Sequence, residues 1–439
     1  MSPRAWGRRD FLLSLGGGAL SLGVAEETWP AGLRRMIRMG MEGIRHPSGI
    51  RRVRMGCVLP AENAGRSSGT EAGILLGREE SEEVGALLGV KLDVQVERVE
   101  RPDEVDAAGA RLIASGVQVM VGAVEPRASR ALGRATSQAG VLFVDIGLSS
   151  DTPSTATDSP CGPPAFRVGV DPATGLGLVL EALAMEAPDA PIAPGGTILL
   201  VGNPDDPQLA RSRETLTRRG GETRILDASS PARALSDALR SVGGAGASVA
   251  PRVLLVGPAA LPWAFRPGAL EAVDFVLATV PIPAQGPRPL VPVHAPTLWH
   301  PGLIRFGAAQ LNERHERRFG TLMDPSAWAG WFGVKLLWEA ALREGAGGNE
   351  SPLEDRLIDP ATRFDGHKGV GLGFRSDGLL RQPLYLVRTD PDGGSEVVHE
   401  GPDAPRGTPF VAAFDSLGPA ESPCRYGGAD PAPTAPPAP

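Results

Sequence analysis

The sequence predicts an α/β fold: two doubly wound lobes, each a parallel sheet covered by helices. Three observations carry this. Short apolar runs alternate with segments of helical spacing from Val53 onward. The same rhythm starts again at Thr174, and 439 residues are enough for two domains of ordinary size. Strands that alternate with helices are joined by crossovers, and crossovers make parallel sheets.

The elements follow in order. "VRMGCVLP" is an apolar run ended by proline and reads as a strand. Gly69 to Leu88 has helical spacing, although Gly73, Gly77 and Gly85 are poor helix formers. "KLDVQVERVE" alternates through Leu92, Val94 and Val96, the pattern of a strand with one wet face. Pro102 and Asp103 open a helix to about Ser115, "VQVMVGA" is a buried strand, Arg127 to Ala139 is a helix, and "VLFVDIG" is the next strand. In the second unit Thr174 to Ala187 is a helix and "GTILLVGN" a strand. Gln208 to Arg219 and Pro231 to Val242 are helices, with "ETRILDA", "PRVLLVGP" and "DFVLATVPI" as strands.

Residues 281–302 are proline-rich and read as irregular. Helix returns from about Gly302 to Phe319 and from Ser326 to Glu344. The second helix carries Trp328, Trp331, Phe332, Leu336 and Leu337 at helical spacing, which is a core pattern. "FDGHKGVGLGFRSDGLLRQPLYLVR" reads as a hairpin about the turn Ser376-Asp377-Gly378.

The ends differ in composition. Arg8 and Arg9 precede an uncharged run from Phe11 to Ala25, so residues 1–25 read as an export signal of twin-arginine type, or as an uncleaved anchor. Residues 26–52 form a basic linker, and residues 413–439 a disordered tail rich in Pro, Ala and Gly. The net charge of -7 argues against a nucleic-acid partner. Cys57 falls in an apolar strand, while Cys161 and Cys424 fall in loops, either unpaired or joined after export.

Open parallel sheets bind ligands beyond the carboxyl ends of their strands. The turns there are "PAENAGRSSG", "GAVEPRAS", "DIGLSSDTP", "GNPDDPQ" and "GPAALPWAF". None has the glycine spacing of a dinucleotide fingerprint, and no phosphate-binding loop with its lysine occurs. No nucleophile elbow is present, and the six histidines lack metal-ligand spacing. His315, in "ERHERR", reads as a solvated helix face, and His367 as a locally bonded hairpin residue. Asp205 and Asp206 fit helix capping as well as acid–base work. The expectation is therefore a binding protein, with no catalytic residues, metal or cofactor. Ser67, Ser68, Ser149 and Ser150 supply hydroxyls, and helix N-termini favour an anionic group.

The order of these segments resembles the type I periplasmic solute-binding proteins, the branched-chain amino acid receptor family of ABC importers. "VRMGCVLPAENAG", "ARLIASGVQVMVGAVEPRAS", "QAGVLFVDIGLSSDTP", "AFRVGVDPATGLGLVLEALA", "AWAGWFGVKLLWEAAL" and the closing hairpin carry the match over roughly residues 53–390. The Trp-rich helix and "FDGHKG" resemble a divergent subgroup associated with quinoprotein alcohol oxidation systems.

The resemblance implies two lobes joined by a three-strand hinge. The crossings are expected near Arg167–Asp171, Pro281–Gln285 and Gly345–Pro352. Residues 53–167 and 285–345 then form lobe 1, and 168–284 and 346–412 form lobe 2. It implies a monomeric receptor that carries an amino-acid-like or carboxylate-bearing solute to an inner-membrane permease; the alternatives are a ligand sensor or scaffold acting on a partner protein, and an exported enzyme, which no motif supports. The resemblance implies contacts at Ser149 and Gly147, and Ser67, Ser129, Ser150 and Asp206 are further candidate contacts on the strand-end turns. Two departures stand out. Glu125-Pro126-Arg127 replaces the family's serine turn, with Arg127 either pairing with a ligand carboxylate or simply exposed on the helix's first turn. Trp263 stands where the family offers an acidic residue, as a stacking surface or as core.

Overall fold

The computed structural model describes residues 51–61, 67–148, 166–170, 174–179, 197–218, 221–242, 252–268, 270, 273, 275–282, 287–346, 353–359, 361–369, 371–375 and 378–400. The expected export signal, basic linker, tail and the two loop cysteines lie outside them.

The first sheet contains β1 (Arg51–Pro60), β2 (Val90–Val99), β3 (Val119–Gly122), β4 (Leu142–Asp145) and β5 (Phe166–Arg167). Its order is β2-β1-β3-β4-β5, and every pair is parallel. Every residue of β3 and β4 is buried, as expected of strands covered by helices on both faces. The crossovers are α1 (Ser67–Leu88), α2 (Val105–Ala114) and α3 (Pro126–Gln138), with a 3-10 turn at Pro102–Glu104 ahead of α2. Cys57 lies inside β1, and burial pushes its thiol up to about 12.

The second sheet has seven strands, in the order β15-β14-β10-β9-β8-β6-β7. Its parallel part is β6 (Thr197–Gly202), β7 (Glu222–Asp227), β8 (Arg252–Leu255), β9 (Phe275–Ala278) and β10 (Val293–Thr297). The helices α4 (Pro207–Arg218) and α5 (Ala232–Val242) cover it. Of the helix expected over Thr174 to Ala187, the described part, residues 174–179, is helical.

β10 corrects two expectations. It falls inside the stretch read as irregular, and it contains Pro296. Its ladder to β9 covers Val293 and His294, so Pro296 lies beyond it and needs no donor on that side. Because β10 still belongs to the second sheet, the chain does not leave this lobe at Pro281–Gln285. It leaves after Thr297, through residues 298–307, and reaches α6 (Ala308–Phe319). This helix starts later than expected because Phe306 (φ 57°) and Gly307 (φ 83°) are left-handed. Ion pairs Arg318–Glu79 and Arg314–Glu80 fasten α6 to α1.

His315 also differs from its reading. It is 1% exposed, its Nδ1 donates to the Thr321 carbonyl (2.9 Å), and its ring packs on Phe319. Burial lowers its pKa, against the opposing pull of that hydrogen bond and of Asp324.

The tryptophan-rich helix α7 (Pro325–Ala346) is core, as its spacing indicated. It lies backbone to backbone against α1. A Cβ on Gly73 would stand 1.9 Å from the Ala327 carbonyl oxygen, one on Gly77 2.9 Å from that of Trp331, and one on Gly330 2.3 Å from that of Thr70. The glycines that weaken α1 as an isolated helix are the ones that admit its neighbour.

The closing segment divides. β12 (Gly371–Phe374) and β13 (Leu380–Arg381) form the expected hairpin, and β11 (Phe364–Asp365) adds a third antiparallel strand. β14 (Tyr385–Thr389) and β15 (Ser395–Glu400) instead extend the seven-stranded sheet. A short helix, α8 (Leu353–Ile358), precedes them. The hairpin was expected in lobe 2. It is instead bridged to Arg167 of the first sheet, and the Gly366 carbonyl accepts a hydrogen bond from Trp328 Nε1 (3.1 Å). It therefore sits at the junction of the lobes.

Lys368 is buried at that junction. Its Nζ lies 3.8 Å from the centre of the Trp328 ring, and it donates to Gln382 Oε1 (2.7 Å) and the Pro383 carbonyl (3.1 Å). Gln382 Nε2 donates in turn to the Val168 carbonyl (2.6 Å), on the first crossing. Trp328 stacks on Trp299, on the second crossing, at 5.9 Å.

Two stability predictions follow from this packing. Gly73→Ala destabilises the protein by about 3 kcal/mol through overpacking, whereas Gly133→Ala stabilises it by about 0.5–1 kcal/mol through helix propensity. Gly133 differs because its added Cβ would meet only the Phe143 ring, at 3.4 Å. Equal effects in urea unfolding would refute the α1–α7 contact. The second concerns Lys368, whose pKa burial holds well below the usual 10.5. The unfolded chain binds this proton more tightly, so stability rises with pH across the interval between the two values. Urea unfolding at about pH 7 and pH 10 should show the protein gaining stability relative to Lys368→Met, since a free lysine titrates near 10.4.

Candidate functional site

The carboxyl ends of the two parallel sheets meet beside the first crossing. On the first sheet these ends are followed by Ala61, Ala123 and Ile146. On the second they are followed by Asn203, Val256 and Thr279. The Val168 amide donates to the Asp145 carbonyl (2.8 Å) and the Val170 amide to that of Leu148 (2.9 Å). A Cβ on Gly169 would stand 2.2 Å from the Gly147 carbonyl oxygen, and one on Gly175 2.5 Å from that of Thr279. The first crossing thus touches the turn after β4 through Gly169 and the residue after β9 through Gly175, so it lies against both sheet edges.

In the first lobe the turns centre on Asp145, the last residue of β4. It is 8% exposed. Its Oδ2 accepts from the Ser129 hydroxyl (2.7 Å), and its Oδ1 accepts from the Gly147 amide (2.8 Å). Ser129 is itself 4% exposed, on the first turn of α3. Of the predicted contacts, Ser129 and Gly147 are therefore brought together, by an acid that sequence reasoning passed over. Its signal was visible as a lone carboxylate in the apolar run "VLFVDIG". Glu125 is the N-cap of α3, Pro126 is its first residue, and Arg127 is exposed on the first turn.

Ser67 is the first residue of α1. Beside that end lies the carboxyl of Asp324, 2.8 Å from where a Cβ on Gly69 would stand. The same group caps α7 by accepting from the Ala327 amide (2.8 Å). Burial holds it above the usual carboxyl range, against the pull of that amide, His315 and Ser326. The side chain of Ser67, and Ser149 and Ser150 altogether, lie outside the described residues.

In the second lobe Asp206 caps α4. Its Oδ1 accepts from the Gln208 amide (2.8 Å), and Asn203 Oδ1 accepts from the Asp205 amide (3.1 Å). Gly257 has φ 72°, and its amide donates to Thr279 Oγ1 (3.0 Å). A Cβ there would lie 2.9 Å from Asp206 Oδ2, so the two turns touch through a glycine. Trp263 is not part of this surface. It is fully buried in the second lobe's core, its Nε1 donates to the Ala228 carbonyl (3.0 Å), and the Arg266 guanidinium covers its ring at 4.3 Å. The structure selects core over ligand stacking, because a short 3-10 turn at Leu261–Phe265 swings the indole under the sheet.

Among the described residues no group of three His, Cys, Asp or Glu side chains is placed to hold a metal ion. Among them, too, no helix is long and apolar enough to cross a membrane.

No family model matches the chain, and no curated protein sequence does. Solved structures do. An ABC transporter substrate-binding protein from Desulfitobacterium hafniense, in complex with leucine, superposes over 79% of this chain and 100% of its own, with 17% identity and a TM-score of 0.61. One from Sphaerobacter thermophilus covers 80% and 98%, with 15% identity and a TM-score of 0.58. A solute-binding protein of an ABC transporter from Rhodopseudomonas palustris, in complex with 3,4-dihydroxybenzoic acid, covers 81% and 99%, with 15% identity and a TM-score of 0.56. The chain has the two-lobed periplasmic-binding-protein-like fold of these substrate-binding proteins. At such identity the likeness defines the fold alone.

Asp206→Ala removes the α4 cap and should lower stability by about 1 kcal/mol, while Asp206→Asn keeps the acceptor and should lower it little. Chemical unfolding of both variants checks this. An equal loss in the two would show that the charge, and not the cap, is what the fold uses.

Proposed function

We propose that this protein is an exported solute receptor that captures a small organic molecule between its lobes and presents it to an ABC permease. The observation that carries this reading is the meeting of the two sets of strand-end turns at the first crossing. Such a junction offers polar groups from two rigid bodies and lets a ligand bridge them. The solved structures of the same fold are of substrate-binding proteins, two of them holding small organic ligands. That likeness supports binding in place of catalysis. The twin-arginine-like start supports export into the periplasm.

The proposed contacts are Arg127 and the hydroxyls of Ser67, Ser149 and Ser150, while Gly147 and Asp206 shape the turns beside them, through Asp145 and the α4 cap. Ser129 acts on the ligand indirectly, by holding Asp145.

Thermal unfolding of the full chain against a panel of small organic solutes tests the reading. A ligand at about a hundred times its dissociation constant adds about 2.7 kcal/mol of stability. Small-angle scattering should then show the molecule contracting as the lobes close. A well-folded protein that no solute stabilises would instead support a scaffold that signals through a partner.

A further inference from the structure

Anions bind proteins where backbone amides, hydroxyls and helix N-termini converge, and the carboxyl edge of a parallel sheet is such a place. In the first lobe the Ser129 hydroxyl and the Gly147 amide both point at one carboxylate, and it belongs to the chain. They hold Asp145 at 2.7 and 2.8 Å. Pro126, at the first position of α3, removes a further amide donor from the same turn. A carboxylate at the end of an otherwise apolar strand is retained when hydrogen bonds replace its water, and here they do.

We propose that Asp145 is a built-in anion which occupies the donors of the first lobe, so that the cleft selects a solute with a neutral or cationic head in place of a carboxylate. This deepens the receptor reading and depends on it for the ligand, though not for the geometry. A second carboxylate entering here would find its donors taken and a fixed negative charge beside it. Two carboxylates sharing one site repel, and one of them must take up a proton or leave. The surrounding acids act in the same direction. Glu125 stands at the N-cap position of α3 on this lobe, and Asp205 and Asp206 stand on the turn after β6 in the other. The cations here are Arg127, exposed on the first turn of α3, and Arg167, buried on β5 at the position paired with Asp145, which offsets part of its charge and leaves the occupied donors as the main barrier to a second carboxylate. The alternative is that Asp145 only shapes the β4 turn. It would then have no bearing on which solutes enter.

Two measurements on the full chain decide between these. The first is thermal unfolding with paired solutes: leucine against leucinamide, and 3,4-dihydroxybenzoate against 3,4-dihydroxybenzylamine and the benzyl alcohol. A shift from the amide, amine or alcohol members and none from the carboxylates supports the proposal. A shift from a carboxylate overturns it while upholding the receptor. The second measurement is Asp145→Ala in formate against chloride at equal ionic strength. Formate fits the vacated place and should raise the variant's Tm by several degrees, with no such effect on the unaltered protein or on Asp145→Ala combined with Ser129→Ala. If the variant folds poorly, the yield of folded protein with and without formate reads the same effect. No response to formate overturns the proposal. A flat panel together with a formate response would refute the receptor reading and leave the internal anion standing.

Discussion

The closeness of α1 and α7 is the constraint on which much of the structure depends. Two helices can touch at the backbone only where side chains are missing. Gly73, Gly77 and Gly330 supply those gaps on the two partners. α1 carries the first-lobe turn that follows β1. α7 carries Trp328 to the junction of the lobes. Their spacing therefore fixes how the start of α1 stands relative to the hinge. The ion pairs from Glu79 and Glu80 to α6 extend the same rigid body to the second crossing.

At that junction an apolar stack meets a charge. Trp299, Trp328 and Phe332 lie nearly parallel, and the Lys368 ammonium sits on the face of the central ring. Burying an ammonium is unfavourable unless acceptors and π-faces replace its hydration. Gln382 Oε1, the Pro383 carbonyl and Trp328 replace only part of it, since burial still holds the Lys368 pKa well below its usual value, and Gln382 passes the connection to Val168. Groups from the first crossing, the second crossing and the hairpin thus share one set of contacts. Movement of either lobe must rearrange it, so the hinge and the core are the same place in this molecule.

The clefts of such folds are shaped by what their turns already hold. In the first lobe the Ser129 hydroxyl and the Gly147 amide face an internal carboxylate. In the second the Asp206 carboxylate is spent on capping α4 and lies against Gly257. Several polar groups visible in the sequence as candidate ligand contacts thus position the turns themselves.

By itself the sequence determined the strand–helix rhythm, the two-lobed α/β class and the burial of the tryptophan-rich helix. These depend on spacing between near neighbours, which any stretch of chain displays. It led astray wherever a distant partner decides. β10 was hidden because Pro296 and its proline neighbours look irregular until β14 pairs with them. His315 looked solvated because its segment is charged, yet Phe319 and Thr321 close over it. Trp263 stood at a cleft-like turn, and the tertiary fold turned it into the core. Asp145 was read as part of a strand, because its partners lie 16 residues away on α3 and two residues on, past the strand's end. Local spacing fixes which elements form. Which side chain faces solvent, core or ligand is set by contacts between elements, and those exist only once the chain has folded.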